Sequence, residues 1–270
     1  MAKRDYNTWN QGKIDKFIKE GRGQGELKEY KPWITIQDFP SLGRASRIFG
    51  FKTQRIHHFQ TDSESRCFYL FEFEDDVIDI REHFPLFDVQ EIIKEKGDLN
   101  FDSFKDKNTG VNYVLSTTFL LTIKDKDNGK RYIARSIKGA SELSKKISLE
   151  KLEIERRYWE NKGIDWGIIT QKEIPILKAK NIEWVHSSLY TYQDRGLSND
   201  NLTYLCSSLI EEIKISEKVI REICSRIDQQ FNLENGTGLF IFKYAIATKL
   251  LKVDMNKIIN VNEPFNKIQI

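Results

Sequence analysis

A helix that hands the chain straight to an apolar strand constrains this 270-residue sequence more than any other feature. Between Leu149 and Asn161, Leu152, Ile154, Tyr158 and Trp159 supply a buried stripe, Ser148 is placed to cap the start, and Gly163 supplies the stop. Ile164-Asp165-Trp166-Gly167-Ile168-Ile169-Thr170 follows at once and is almost continuously apolar. A strand without a polar side is buried on both faces, and a helix leading into it is the crossover that parallel pairing requires. The expected class is therefore α/β, with a mixed sheet covered on both faces. Two further strands precede the helix, Val111 to Ile123 and Lys130 to Lys138, joined through Lys124 to Gly129 with Asn128-Gly129 as a hairpin signal.

Upstream, Ile14, Phe17 and Ile18 mark a helix over 13–20, ended by Gly21-Arg22-Gly23-Gln24-Gly25, whose spacing matches no nucleotide-binding loop and reads as a flexible basic hinge. Short strands are predicted at 33–37, 47–51 and 55–59. Thr61 caps a helix carrying Cys67, Phe68, Leu70 and Phe71, so Glu64 lies one turn before the apolar face and is aimed inward. Val77 to Phe84 alternates as a strand ending at Pro85. From about residue 173 the pattern turns helical, with a bridging segment over 181–192 and helices at 199–214, 217–231 and 238–250. The predicted division is a 1–172 α/β domain and a 173–270 helical domain of winged-helix type.

Charge is unevenly placed. Residues 1–60 carry twelve Lys or Arg against six acids, whereas 61–110 carry fourteen acids against six bases. Such asymmetry suits a basic face for an anionic polymer beside an acidic cluster, and equally suits two solvated faces. Three cysteines, Cys67, Cys206 and Cys224, never spaced as Cys-x-x-Cys, exclude a disulfide framework and a zinc ribbon. No apolar run approaches a membrane span and the first residues are polar, so the expected location is the cytoplasm, without a membrane partner.

Metal-dependent phosphodiester cleavage needs carboxylates converging on a hard cation and a lysine offsetting charge on phosphate. Glu64 on an inward helix face, the strand through Thr118, and Ser136-Ile137-Lys138 closing its partner provide such a layout, with Ser136 and Lys138 on one strand face. The bland alternatives are a capping acid at Glu64 and a solvated lysine at Lys138. His57 and His58, adjacent on a strand, face opposite sides and find no third metal ligand; structure or phosphate contact is their expected use.

Several ordered blocks sharpen this reading: Ile18-Lys19-Glu20-Gly21-Arg22-Gly23-Gln24-Gly25, Arg55-Ile56-His57-His58, the run from Val77 to Leu86, Leu115-Ser116-Thr117, and the run from Leu149 to Trp159. With them the sequence resembles the TnsA family, endonuclease subunits of heteromeric transposases with a restriction-endonuclease-like N-terminal domain. The resemblance implies nicking of transposon 5′ ends with Mg²⁺ or Mn²⁺, beside a TnsB-like DDE transposase that cuts the 3′ ends and a TnsC-like AAA+ ATPase regulator. It places the metal-binding Glu on Glu64, the active-site Lys on Lys138, further oxygen donors on Ser136 and the Ile137 carbonyl, and another acid on Glu155. The family's metal-binding Asp falls on Thr118, a neutral hydroxyl, so cation affinity is expected to be weakened or lost. Two outcomes stay open: a pseudonuclease that keeps its assembly role, or a remote acid, Glu74 or Asp79, reaching in. Transposon-end DNA is expected to meet Arg22, Arg44, Arg47, Lys52, Arg55, His57 and His58. The rival functions are a non-catalytic scaffold that activates the transposase and its ATPase, and a stand-alone nuclease.

Overall fold

The computed structural model describes residues 8–38, 43–125 and 129–269. The chain divides into two compact units, Met1–Ile174 and Pro175–Ile270. Lys3 and Arg4 of the basic segment, and Asp127 and Asn128 of the expected hairpin turn, lie outside the described residues.

In the first unit, α1 (Gln11–Lys19) is capped by Asn10, whose side-chain oxygen accepts the Lys13 N–H at 2.9 Å. Ile14 and Phe17 pack on Trp9 and on Trp33, which is fully buried. Burial of Trp33 overrides the strand predicted at 33–37: the segment is a turn in which the Thr35 N–H and hydroxyl both donate to Asp38 Oδ2 at 2.7 Å. The glycine run is not a hinge either. Gly21, Gly23 and Gly25 hold φ of 78°, 77° and 86°, the Gly23 N–H donates to Lys31 O at 2.6 Å, and a Cβ on Gly23 would stand 2.3 Å from Pro85 Cγ. Only glycine fits this clasp.

Strands β1 (Ser46–Gly50) and β2 (Arg55–Phe59) form an antiparallel hairpin with Arg47 opposite His58. Helix α2 (Asp62–Phe73) follows, its Thr61 hydroxyl accepting the Glu64 N–H at 3.2 Å. The main sheet has four strands in the order β3 (Val77–Pro85), β4 (Ser116–Lys124), β5 (Lys130–Lys138), β6 (Asp165–Thr170), the first two pairings antiparallel and the last parallel. β4 starts at Ser116 and not Val111, because residues 111–113 pair instead with the preceding loop, Val111 O accepting the Asp106 N–H at 2.9 Å and the Tyr113 N–H donating to Phe104 O at 2.8 Å. After the one-turn α3 (Val89–Ile92), the long α4 (Lys146–Asn161) forms the crossover to β6. It begins a turn before the predicted cap, with the Ser148 N–H bonded to Lys145 O inside the first turn. On one face of the sheet, Phe119 meets Phe59 and Phe71, with Phe68 against Phe59; on the other, Leu120 and Ala134 pack under Ile154, Tyr158 and Trp159 of α4.

The second unit holds α5 (Ile176–His186), α6 (Asn199–Ile215), α7 (Ile220–Gln230) and α8 (Thr237–Ala247). Much of the predicted bridging segment is in fact α5, with Ala179, Ile182 and Val185 buried at three-residue steps after Pro175. Asp228 caps α8, accepting the Gly236 and Gly238 N–H groups at 2.8 and 2.6 Å. Isolated bridges join Val219 to Pro264 and Val253 to Gln269. All three cysteines are buried, and burial pushes each thiol up to about 12. Among the described residues no helix is long and apolar enough to cross a membrane.

Candidate active site

The β4–β5 ladder stops at Phe119–Arg135. Beyond it the Ile137 N–H is taken up by the Thr118 hydroxyl, which accepts at 3.1 Å. The two strands part here, at the end of the sheet where β5 finishes with Ser136, Ile137 and Lys138. Glu64 comes to the same end from α2. Its Oε2 accepts the Gln60 N–H at 2.7 Å and lies 3.9 Å from His83 Nε2. His83 sits between the Glu82–Phe119 and Phe84–Thr117 pairs, which sets it across from Thr118. Its φ of +49° is costly for a side chain of this size and turns the β3 alternation locally.

Glu155 approaches from α4, on the other face of the sheet. It is 1% exposed; its Oε2 accepts the hydroxyls of Thr117, at 2.9 Å, and of Ser136, while Lys151 Nζ stands 3.6 Å from Oε1. Indole N–H groups complete the network, Trp159 to Thr117 Oγ1 at 2.8 Å and Trp166 to Ser136 Oγ at 3.2 Å. Burial lowers the Lys151 pKa against the opposing pull of Glu155, and the neighbouring Lys138 lowers it further. Lys138 itself is half-buried.

The donor set does not fit a divalent cation held by two free carboxylates. Glu155 Oε2 is engaged by two hydroxyls and its Oε1 faces the Lys151 ammonium, Thr118 is neutral and already an acceptor, and Glu64 is left as the carboxylate that α2 brings to this end, with Oε2 accepting the Gln60 N–H. Among the described residues no group of three or more His, Cys, Asp or Glu is arranged to hold a metal. Nor do the remote acids reach. Asp79 pairs with Thr122, four residues along β4 from Thr118 and therefore about 13 Å away at strand rise. It is 2% exposed and receives the Leu27 N–H at 3.2 Å. Glu74 caps the far end of α2, ten residues and about 15 Å from Glu64.

The residues predicted to meet DNA divide by accessibility. Arg44 and Arg47 are exposed. His58 is half-buried, and burial lowers its pKa against the pull of Glu82, with Arg47 lowering it further. Arg22 stacks over Phe17, with its guanidinium carbon 3.6 Å from the ring centroid, and donates to Asp38 at 2.6 Å and Glu20 at 2.9 Å. Lys52 Nζ donates to the carbonyls of Glu74 and, at 2.6 Å, Val77. Arg55 and His57 are used inside the fold: Glu82, with no exposed surface, accepts two hydrogen bonds from the Arg55 guanidinium at 2.8 and 2.5 Å and lies 2.8 Å from His57 Nδ1, while His57 Nε2 is 2.7 Å from the Thr53 hydroxyl. Burial would raise the Glu82 carboxyl, but His57 and Arg55 outweigh it and hold it well below the usual carboxylate range.

Sequence reasoning missed His83, Thr117 and Lys151. The four-residue spacing of Lys151 and Glu155 on one helix was a visible signal for that pair; nothing local pointed to His83.

The β6 strand, expected to be buried on both faces, has no buried residue, because α4 covers one face while α2 packs only near the β3 side of the other. A mixed sheet flanked by α2 and α4, with a helix-borne carboxylate and a strand-end lysine toward one end, fits a restriction-endonuclease-like domain, here joined to a helical unit. Residues 74–171 match the family described as TnsA-like endonuclease N terminal, and residues 173–255 match TnsA endonuclease C terminal. The chain is 37% identical over 267 residues to the Transposon Tn7 transposition protein TnsA of Escherichia coli, an alignment spanning 97% of this chain and 93% of that protein. The chain belongs to the TnsA endonuclease family.

Proposed function

We propose that this chain is the endonuclease-type subunit of a DNA transposition complex, that it binds transposon-end DNA through its N-terminal unit, and that 5′-strand cleavage is weakened or lost. The observation that carries the last point is Thr118, a neutral hydroxyl committed to the Ile137 N–H at the position where β4 and β5 part. Family membership supports the partners: a DDE transposase that cuts and joins 3′ ends, and an AAA+ ATPase regulator.

When 3′ ends are joined while the 5′ flanks stay attached, the products are replicative cointegrates. Sequencing transposition products in cells tests this. Cointegrates are expected, and clean simple insertions would overturn the impaired-cleavage reading. Thr118→Asp should raise 5′ nicking, whereas unchanged nicking would count against this placement of the site.

A scaffold role, in which the helical unit grips the ATPase regulator, is the second reading. The apolar side chains left exposed on that unit favour it, among them Tyr204, Ile215 and Ile258. It predicts that Glu64→Ala leaves recombination untouched; loss of transposition would argue for chemistry.

A further inference from the structure

A groove of about 600 Å³ runs along the first unit, lined among others by Lys19, Arg22, Lys31, Thr35 and His58. The glycine clasp builds its wall. Gly21, Gly23 and Gly25 reverse the chain after α1, and the Gly23–Lys31 and Lys31–Gln24 backbone hydrogen bonds, at 2.6 and 3.3 Å, hold the segment bearing Lys31 against the turn. Lys19 and Lys31 are both exposed on its rim. Lys31 Nζ donates to the Glu20 carbonyl at 2.8 Å. Glu20, the one acid among the lining residues, is committed to Arg22 at 2.9 Å and to Lys16 at 3.8 Å. The rim therefore presents two ammonium groups that no carboxylate neutralises among the described residues.

Two lining residues, Thr35 and His58, are hydrogen-bonded to neighbours of Glu64. Gln60 joins the first of them to Glu64, its Nε2 donating to Thr35 O at 3.2 Å and its N–H to Glu64 Oε2 at 2.7 Å. On the other wall, His58 O accepts from His83 Nε2 at 3.1 Å, and that same nitrogen lies 3.9 Å from Glu64.

We propose that this groove seats the sugar-phosphate backbone of the DNA, with Lys19 and Lys31 as phosphate contacts. The assignment rests on the DNA-binding reading above and locates the strand on the protein. Sequence-independent phosphate contacts are read from the salt dependence of binding, each contributing about 0.9 to the slope of log K against log salt.

The test is fluorescence anisotropy of the full chain with a 30-base-pair duplex lacking any transposon sequence. Wild type is compared with Lys19→Ala/Lys31→Ala and with a charge-matched control, Lys94→Ala/Lys107→Ala, whose lysines are equally exposed and line no part of the groove. The groove variant should bind more weakly with a slope shallower by about 1.8, the control keeping the wild-type slope. An unchanged slope in the groove variant, or an equal drop in both variants, would overturn the groove assignment while leaving DNA binding intact. No binding by the wild type at low salt would refute the DNA reading itself. Lys19→Gln/Lys31→Gln, which removes the charge but keeps a polar side chain that can donate hydrogen bonds, should give the same slope change with an unchanged thermal midpoint.

Discussion

Replacing Glu82 by Gln should cost the first unit more stability than any substitution at its surface. Glu82 has no exposed surface and is the common acceptor for Arg55, His57 and, at 3.2 Å, the His58 N–H. The Arg55 guanidinium is spent within the same pocket, donating also to Ile80 O at 2.7 Å and Leu27 O at 3.1 Å. An isosteric amide presents an NH₂ to neighbours that are already donors and leaves a buried guanidinium without its counter-ion. Removing one partner of a buried pair costs about 3–5 kcal/mol, because the remaining charge is stranded. For a unit of this size that is a fall in melting temperature of roughly 6–20 °C. Urea denaturation followed by intrinsic fluorescence measures it, and Arg55→Met/Glu82→Met should recover a substantial part, since an apolar pair strands nothing. A loss below about 1 kcal/mol, or a double variant as unstable as the sum of its single changes, would refute the view that this pair pins the β1–β2 hairpin to β3.

Other outcomes follow from the same contacts. Because the folded Glu82 carboxyl lies well below its unfolded value of about 4.3, its contribution is present above that pH and is lost as pH falls toward the folded value; wild type should therefore lose urea resistance between about pH 5 and 3 more steeply than Glu82→Gln. Thr117→Val removes the acceptor of the Trp159 indole N–H and one donor to Glu155, a cost of about 2–3 kcal/mol in urea titration. Gly23→Ala must place its Cβ against Pro85 at φ +77°; a loss above about 1 kcal/mol in thermal denaturation is expected, and a neutral result would show that the clasp yields.

What the sequence made legible was what local pattern determines. The buried stripe of α4 running into β6, the hairpin of β4 and β5, and the Thr61 cap that turns Glu64 inward all depend on neighbours a few residues away. Where a distant partner decides, the pattern misled. Trp33-Ile34-Thr35-Ile36 has the composition of a strand, yet Trp33 is claimed by Trp9 and Phe17 and the segment turns. For Arg55 the sequence suggests a phosphate contact and for His57 structure or phosphate contact; the acceptor that engages both, Glu82, lies more than twenty residues away in the chain and leaves no local signal. The candidate site divides in the same manner: Glu64, Thr118 and Lys138 came from motif positions, whereas the ties that commit Glu155 to Thr117, Ser136 and Lys151 depend on tertiary packing. Three glycines suggested flexibility, but their positive φ values serve a fixed turn.

Calorimetric titration of Mn²⁺ into the wild-type chain and into Thr118→Asp tests the central claim most directly, because it reads the charge at the β4–β5 parting without requiring cleavage. The account predicts that the aspartate variant binds at least about tenfold more tightly than wild type. Wild-type binding as tight as that of the variant would contradict it.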